Sequence, residues 1–154
     1  MIKSGFSPIF QENTVLLRNF QDFDLEQTLD CGQAFRWEKQ PDGSVFGIAG
    51  QRCCQIAQNG QDFQLIGVSR QDFEEFWRDY FDLDRDYGAI KQALSVHPVF
   101  AQATAFAPGI RLLRQDSWEA LCSFIISQNN NIPRIKGIIQ RLCALAGQPL
   151  GENL

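Results

Sequence analysis

Between Phe35 and Val68 the chain is broken at short intervals by Pro41-Asp42-Gly43, by Gly50 and by Asn59-Gly60. Such residues impose turn geometry, so only short elements fit between them. The runs that remain, 35–39, 44–49, 52–57 and 62–68, alternate well enough to bury one face and are predicted to be strands. Asn59-Gly60 is the signal of a type I′ hairpin. Connections this short join antiparallel neighbours, because a parallel crossover needs a dozen or more residues. A meandering antiparallel sheet follows, with one more strand predicted over 13–20, where Thr14-Val15-Leu16-Leu17 is β-branched and apolar.

Helical signals flank this sheet. Residues 24–29 suit a short polar-faced helical turn. Ser69 stands three residues before Asp72, the spacing of an N-cap with a reciprocal acid. Phe73, Phe76, Trp77 and Tyr80 then recur at helical spacing and are predicted to cover the sheet as core. Further helices are expected over 86–96, from Pro98 to the break at Pro108-Gly109, from a cap at Asp116 or Ser117 through residue 126, and from Pro133 to near Gly147. The fold class is α+β, with residues 1–109 as an N-terminal unit and 110–154 as a helical segment. Leu112, Leu113, Trp118, Leu121, Phe124, Ile125, Ile135, Ile138, Ile139 and Leu142 would give that segment a large apolar surface. Part of it is expected to lack a partner within the chain, which invites association.

Two of those helices meet at Ser127-Gln128-Asn129-Asn130-Asn131-Ile132-Pro133-Arg134. Three asparagines in a row continue a helix poorly, since each amide competes for its own backbone. They suit a corner, and each offers both a donor and an acceptor. Pro133 fits the first turn of the next helix, and an arginine follows. On residues alone this is a helix–turn–helix corner with an N-cap.

The net charge of −4 argues against strong unaided affinity for DNA. Its distribution is uneven. Residues 105–154 hold five cations against three acids, and the first 104 residues hold nine against fifteen. Any DNA contact is therefore expected from the C-terminal third. The five cysteines form no C-x-x-C pair, and Cys53-Cys54 would point to opposite faces of a strand. They read as reduced packing residues, and His97 before Pro98 reads as a helix start. No zinc-type ligand set is present in the sequence. Neither a membrane-length apolar run nor a signal-peptide stretch at Met1-Ile2-Lys3-Ser4-Gly5 is found, so a cytoplasmic location is expected, nucleoid-associated in a bacterium.

Cys31-Gly32-Gln33-Ala34-Phe35-Arg36-Trp37, Ile110-Arg111-Leu112-Leu113-Arg114-Gln115-Asp116 and the asparagine corner, in that order, closely resemble the 8-oxoguanine DNA glycosylase family. The resemblance runs from about Thr14 to Leu150. It implies a TATA-box-binding-protein-like antiparallel sheet with covering helices, followed by the opening helices of an all-α helix–hairpin–helix glycosylase domain. It also implies DNA repair: excision of 8-oxoguanine opposite cytosine, with AP lyase activity, after the base is flipped out of the duplex. The partner is double-stranded DNA carrying that pair, and no metal or organic cofactor is implied.

By the same resemblance Gly32 matches the glycine whose carbonyl accepts a hydrogen bond from N7 of the lesion, where guanine has only a lone pair. Asn129 matches an asparagine that reads the orphaned cytosine, and Arg134 an arginine facing its O2 and N3. On residues alone Gly32 is a turn glycine and Arg134 a solvent-facing residue whose charge opposes the helix dipole. Asn130 and Asn131 are read as structural, Phe35 and Trp37 as core on one strand face, and Arg36 as a brace to the neighbouring unit. Arg111 and Arg114 could touch phosphate or pair with local acids, and stay unassigned. The family's catalytic lysine follows a Gly-x-Gly hairpin, and an aspartate follows that lysine. None of Lys3, Lys39, Lys91 and Lys136 sits in that setting, so this chain alone is expected to be inactive, a recognition part without its chemistry. Two alternatives remain: a non-catalytic damaged-DNA-binding or split-enzyme subunit, and an alkyl-base glycosylase, against which the 31–37 motif and the triple asparagine argue.

Overall fold

The computed structural model describes residues 6–150. The stretches 1–5 and 151–154, including the N-terminal segment considered for a signal peptide, lie outside the described residues. Six strands form one antiparallel sheet: β1 (Ile9–Gln11), β2 (Thr14–Leu17), β3 (Trp37–Lys39), β4 (Val45–Ala49), β5 (Arg52–Asn59) and β6 (Asp62–Ile66), in the order β1-β2-β6-β5-β4-β3. The α+β expectation holds. β1 was not anticipated, because three residues ending in Gln11 carry too little alternation to register.

The tight hairpins differ from expectation in one detail. In both the β4–β5 and β5–β6 connections the glycine takes the first central position with positive φ, Gly50 at +57° and Gly60 at +60°, and the glutamine after it does not. That is the II′ pattern, not I′. The asparagine of Asn59-Gly60 ends the strand instead of entering the turn.

The strands are short because their ends are turn residues, and they bury alternate positions: Val15 and Leu17, Cys54 and Ile56, Phe63 and Leu65. Cys53 and Cys54 do take opposite faces, and burial pushes the Cys54 thiol well above its ordinary value. One continuous helix covers this face. It runs through α2 (Arg70–Asp72), a π turn (Phe73–Trp77) and α3 (Arg78–Tyr80). Phe73, Trp77, Tyr80 and Phe81 recur at helical spacing along it and are all buried against the sheet. Trp37 closes the core at one edge: its ring lies across Gly47, where a Cβ would come within 2.1 Å of it, and its indole N–H donates to the Tyr80 hydroxyl at 3.0 Å.

The remaining helices are α1 (Leu25–Leu29), α4 (Tyr87–Leu94), α5 (Pro98–Phe106), α6 (Ser117–Ser127) and α7 (Ile132–Ala146). Side chains cap four of them: Asp116 and His97, read from the sequence as helix starts, and also Asp24 and Asp86 accept from first-turn amides. The π turn had no local signal.

Candidate functional site

The corner between α6 and α7 sorts its amides into two roles. Asn130 donates its side-chain amide to the Ile126 carbonyl at 2.7 Å, and Ser127 and Gln128 both reach back to the Phe124 carbonyl, so the end of α6 is satisfied from within. Asn131 is the N-cap of α7, its side-chain oxygen accepting from the Arg134 amide at 3.0 Å. Asn129 does neither. It is exposed, its φ is +56°, and its side chain meets no partner among the described residues. The left-handed region costs a non-glycine residue roughly 1 kcal/mol, least for asparagine. The Arg134 guanidinium, one turn into α7, is likewise exposed and unpaired among the described residues.

Facing this corner is the loop between α1 and β3. Gly32 adopts φ +85°, and a Cβ there would lie 3.8 Å from Ile132 Cδ1 in the first turn of α7. The loop glycine and the start of the helix that follows the asparagines are therefore neighbours. Gln33 anchors the chain immediately after it. Its amide donates to the carbonyls of Thr28 and Arg111, each at 2.8 Å, and its side-chain oxygen accepts from the Leu113 amide. Gln115 in turn donates to the Gln33 carbonyl. By contrast, the Gly32 carbonyl accepts nothing from the described residues.

Phe35 lies before β3, not in it, and packs with Ile135 and Ile139 of α7 in a second small core separate from that of Trp37. The two rings predicted to share one strand face thus serve different interfaces. Arg36 does brace the helices: it pairs with Glu119 of α6 at 3.4 Å, where burial pushes the Glu119 carboxyl upward and the Arg36 charge pulls it back. Lys136 of α7 completes the contact, donating to the Trp37 carbonyl at 3.2 Å and lying 3.5 Å from Asp30.

Both arginines left open in the 110–116 motif find partners within the chain. Arg111 is 2% exposed, and its guanidinium donates to the main-chain carbonyls of Asp22, Asp82 and Gln21 over the faces of Phe20 and Tyr87. Arg114 pairs with Asp82 and Asp79. The cations that remain on the corner side belong to α7, which carries Arg134, Lys136 and Arg141 and no acid. Among the described residues no cluster of His, Cys, Asp and Glu could hold a metal, and no helix is long and apolar enough to cross a membrane.

Sequence reasoning missed Ile132 and Lys136. Their only signal was spacing: Ile132, Ile135, Lys136 and Ile139 recur at one helical face.

Residues 15–121 match the model of the 8-oxoguanine DNA glycosylase N-terminal domain. The chain belongs to the 8-oxoguanine DNA glycosylase family. It is 30% identical over 142 residues to a Saccharomyces cerevisiae N-glycosylase/DNA lyase, and 28% identical over 137 residues to N-glycosylase/DNA lyase OGG1 of Arabidopsis thaliana. These alignments take in 84% and 85% of this chain but 38% and 37% of the relatives. Among solved glycosylases, MBOgg1 bound to a low-affinity DNA ligand superimposes with a TM-score of 0.91 at 43% identity, covering 95% of this chain and 50% of that one. The Clostridium acetobutylicum 8-oxoguanine glycosylase/lyase, in complex with duplex DNA containing cytosine opposite 8-oxoguanine, gives 0.88 at 40% identity over 96% of this chain and 50% of its own. This member of the glycosylase family thus spans about half the length of its solved relatives.

Proposed function

We infer that this chain acts in base excision repair as the part of an 8-oxoguanine DNA glycosylase/AP lyase that recognises the lesion and its opposite cytosine. The observation that carries this reading is the contact of the Gly32 loop with the first turn of α7, next to a corner that presents two unengaged polar side chains. Gly32 offers its carbonyl to N7–H of a flipped 8-oxoguanine and has no Cβ to obstruct the base. Asn129 and Arg134 offer planar donors to the orphaned cytosine. The division near residue 109 is part of the same proposal, with the lesion glycine on the first unit and the cytosine readers on the second. Partner relatives fit it: one is a glycosylase/lyase solved on a duplex with cytosine opposite 8-oxoguanine.

Strand cleavage by the family's amine chemistry falls to no lysine among the described residues. Lys39, Lys91 and Lys136 each face a carboxylate, of Glu26, Asp22 and Asp30. Borohydride with an 8-oxoguanine duplex is expected to trap no adduct on this chain, and an adduct would reassign the chemistry to one of its amines. Fluorescence anisotropy tests recognition. The chain is expected to bind duplexes with 8-oxoguanine opposite cytosine more tightly than guanine opposite cytosine. Asn129→Ala and Arg134→Ala should each reduce the preference for cytosine over adenine opposite the lesion by about ten-fold, the scale of one bidentate or charge-assisted contact. Equal binding to lesion and undamaged duplexes would overturn the assignment.

A further inference from the structure

Building on the recognition role above, we propose that Lys136 is a positioning residue that sets lesion preference by clamping the Gly32 loop onto α7. A glycine has no side chain with which to anchor itself, so the position of its carbonyl is decided by what holds the neighbouring residues. Lys136 holds both ends of that loop. Its ammonium donates to the Trp37 carbonyl, where β3 begins, and approaches the carboxylate of Asp30, which closes α1 just before Cys31 and Gly32. Between those ends Phe35 packs on Ile135 and Ile139, which flank Lys136 on the helix, and Gly32 faces Ile132 one turn earlier. The other contacts are looser or interior: Lys39 of β3 lies 4.0 Å from Glu26 of α1 with both side chains largely exposed, and Arg36–Glu119 and Gln115–Gln33 hold residues within the loop.

The helix that receives this clamp also carries Arg134 and follows the corner with Asn129. Lys136 therefore fixes the distance between the carbonyl assigned to the lesion and the side chains assigned to the opposite base. That distance matters because a hydrogen bond weakens steeply once its length or angle leaves a narrow range. A compact ammonium with several donors suits the task of serving a carbonyl and a carboxylate at once.

The test compares Lys136→Met, Lys136→Arg and Lys91→Met with the parent chain, each titrated with 8-oxoguanine:cytosine and guanine:cytosine duplexes. Lys91 is a matched control: it too bridges an aspartate and a carbonyl, Asp22 and Pro108, at similar exposure but away from the loop. Loss of one positive charge weakens both duplexes alike, so the ratio of affinities removes that contribution. The ratio is expected to fall about five-fold in Lys136→Met, the scale of one partly exposed charge-assisted hydrogen bond. Lys136→Arg should recover most of it, and Lys91→Met should leave it unchanged. Amide hydrogen exchange over residues 31–36 should rise in Lys136→Met while β5 and β6 stay protected. Unchanged exchange in the loop, or an unchanged affinity ratio despite faster exchange, would overturn the proposal. If the parent chain itself shows no lesion preference, the functional reading falls and the specificity role with it, and the exchange data alone then decide whether the clamp exists.

Discussion

A single buried guanidinium joins three parts of this chain. Arg111 donates to carbonyls at residues 21 and 22 on one side and at 82 on the other, while its own backbone amide donates to the Thr28 hydroxyl at 3.2 Å. Its partners are main-chain oxygens, which cannot move away without moving their segments. Arg111→Met keeps much of the packing, strips the part-buried contacts from the Gln21 and Asp22 carbonyls and leaves the Asp82 carbonyl with the Arg85 amide alone. A loss of about 3 kcal/mol or more is expected in urea unfolding, because unsatisfied buried acceptors cost roughly 1–3 kcal/mol each. A loss below about 1 kcal/mol would mean that water replaces the guanidinium. The residue's place in the 110–116 motif was evident in the sequence, but its role was not. An arginine beside acids in sequence looks the same whether it meets carboxylates, phosphate or carbonyls.

At the scale of an element, the α2 N-terminus shows how a legible cap becomes an electrostatic device. The Ser69 hydroxyl, chiefly, holds the Asp72 carboxyl below the usual aspartate range; burial opposes this and Arg52 assists. A carboxyl whose folded pKa is depressed stabilises the fold above the ordinary aspartate range and loses that contribution as the pH falls through the depressed value. Ser69→Ala removes both the cap and this bond. The parent should exceed the variant by about 1 kcal/mol at neutral pH, with the gap narrowing as the pH drops below the aspartate range. Urea unfolding at stepped pH measures this, and a gap constant with pH would show that the hydroxyl acts on the backbone alone. The elements themselves were largely readable, since caps, glycine turns and aromatic spacing are local. The π turn at Phe73–Trp77 was not, because the buried positions 73, 77, 80 and 81 keep ordinary helical spacing and leave no sign of it in the sequence.

Across the whole molecule, burial is concentrated in the sheet and the helix upon it. α6 and α7 keep Trp118, Leu121, Phe124, Ile125, Leu142 and Leu145 between 48% and 86% exposed, while Leu113, Ile135 and Ile139 are buried. The apolar surface expected from the sequence is thus divided: Leu113 joins the sheet core, Ile135 and Ile139 pack on Phe35, and most of the others face outward. Hydrogen exchange should be slowest in β2, β5 and β6 and fastest over 117–146, with 110–115 following the sheet because Arg111 and Leu113 are locked into it. Light scattering should show concentration-dependent association that Leu121→Gln with Phe124→Gln reduces without lowering the melting temperature. Fast exchange over 110–115 would contradict the packing described for Arg111.

Local matters were legible along the chain: which runs could be strands, where helices start, that Asn130 and Asn131 serve the backbone, and that Cys53 and Cys54 part to opposite faces. Each depends on interactions within a few residues, so each leaves a pattern in a short window. The chain also carried the three motifs that mark the family. Packing across the fold, by contrast, brings Gly32 to Ile132, takes Phe35 from the core of Trp37 to α7, sets Lys136 on both ends of the 30–37 loop and buries Arg111 on carbonyls. Most of those contacts join residues about ninety to a hundred positions apart, with Arg111 to Asp82, at 29, the exception. Their geometry depends on how helices dock on a sheet, and side-chain packing over such separations leaves no periodic trace along the chain.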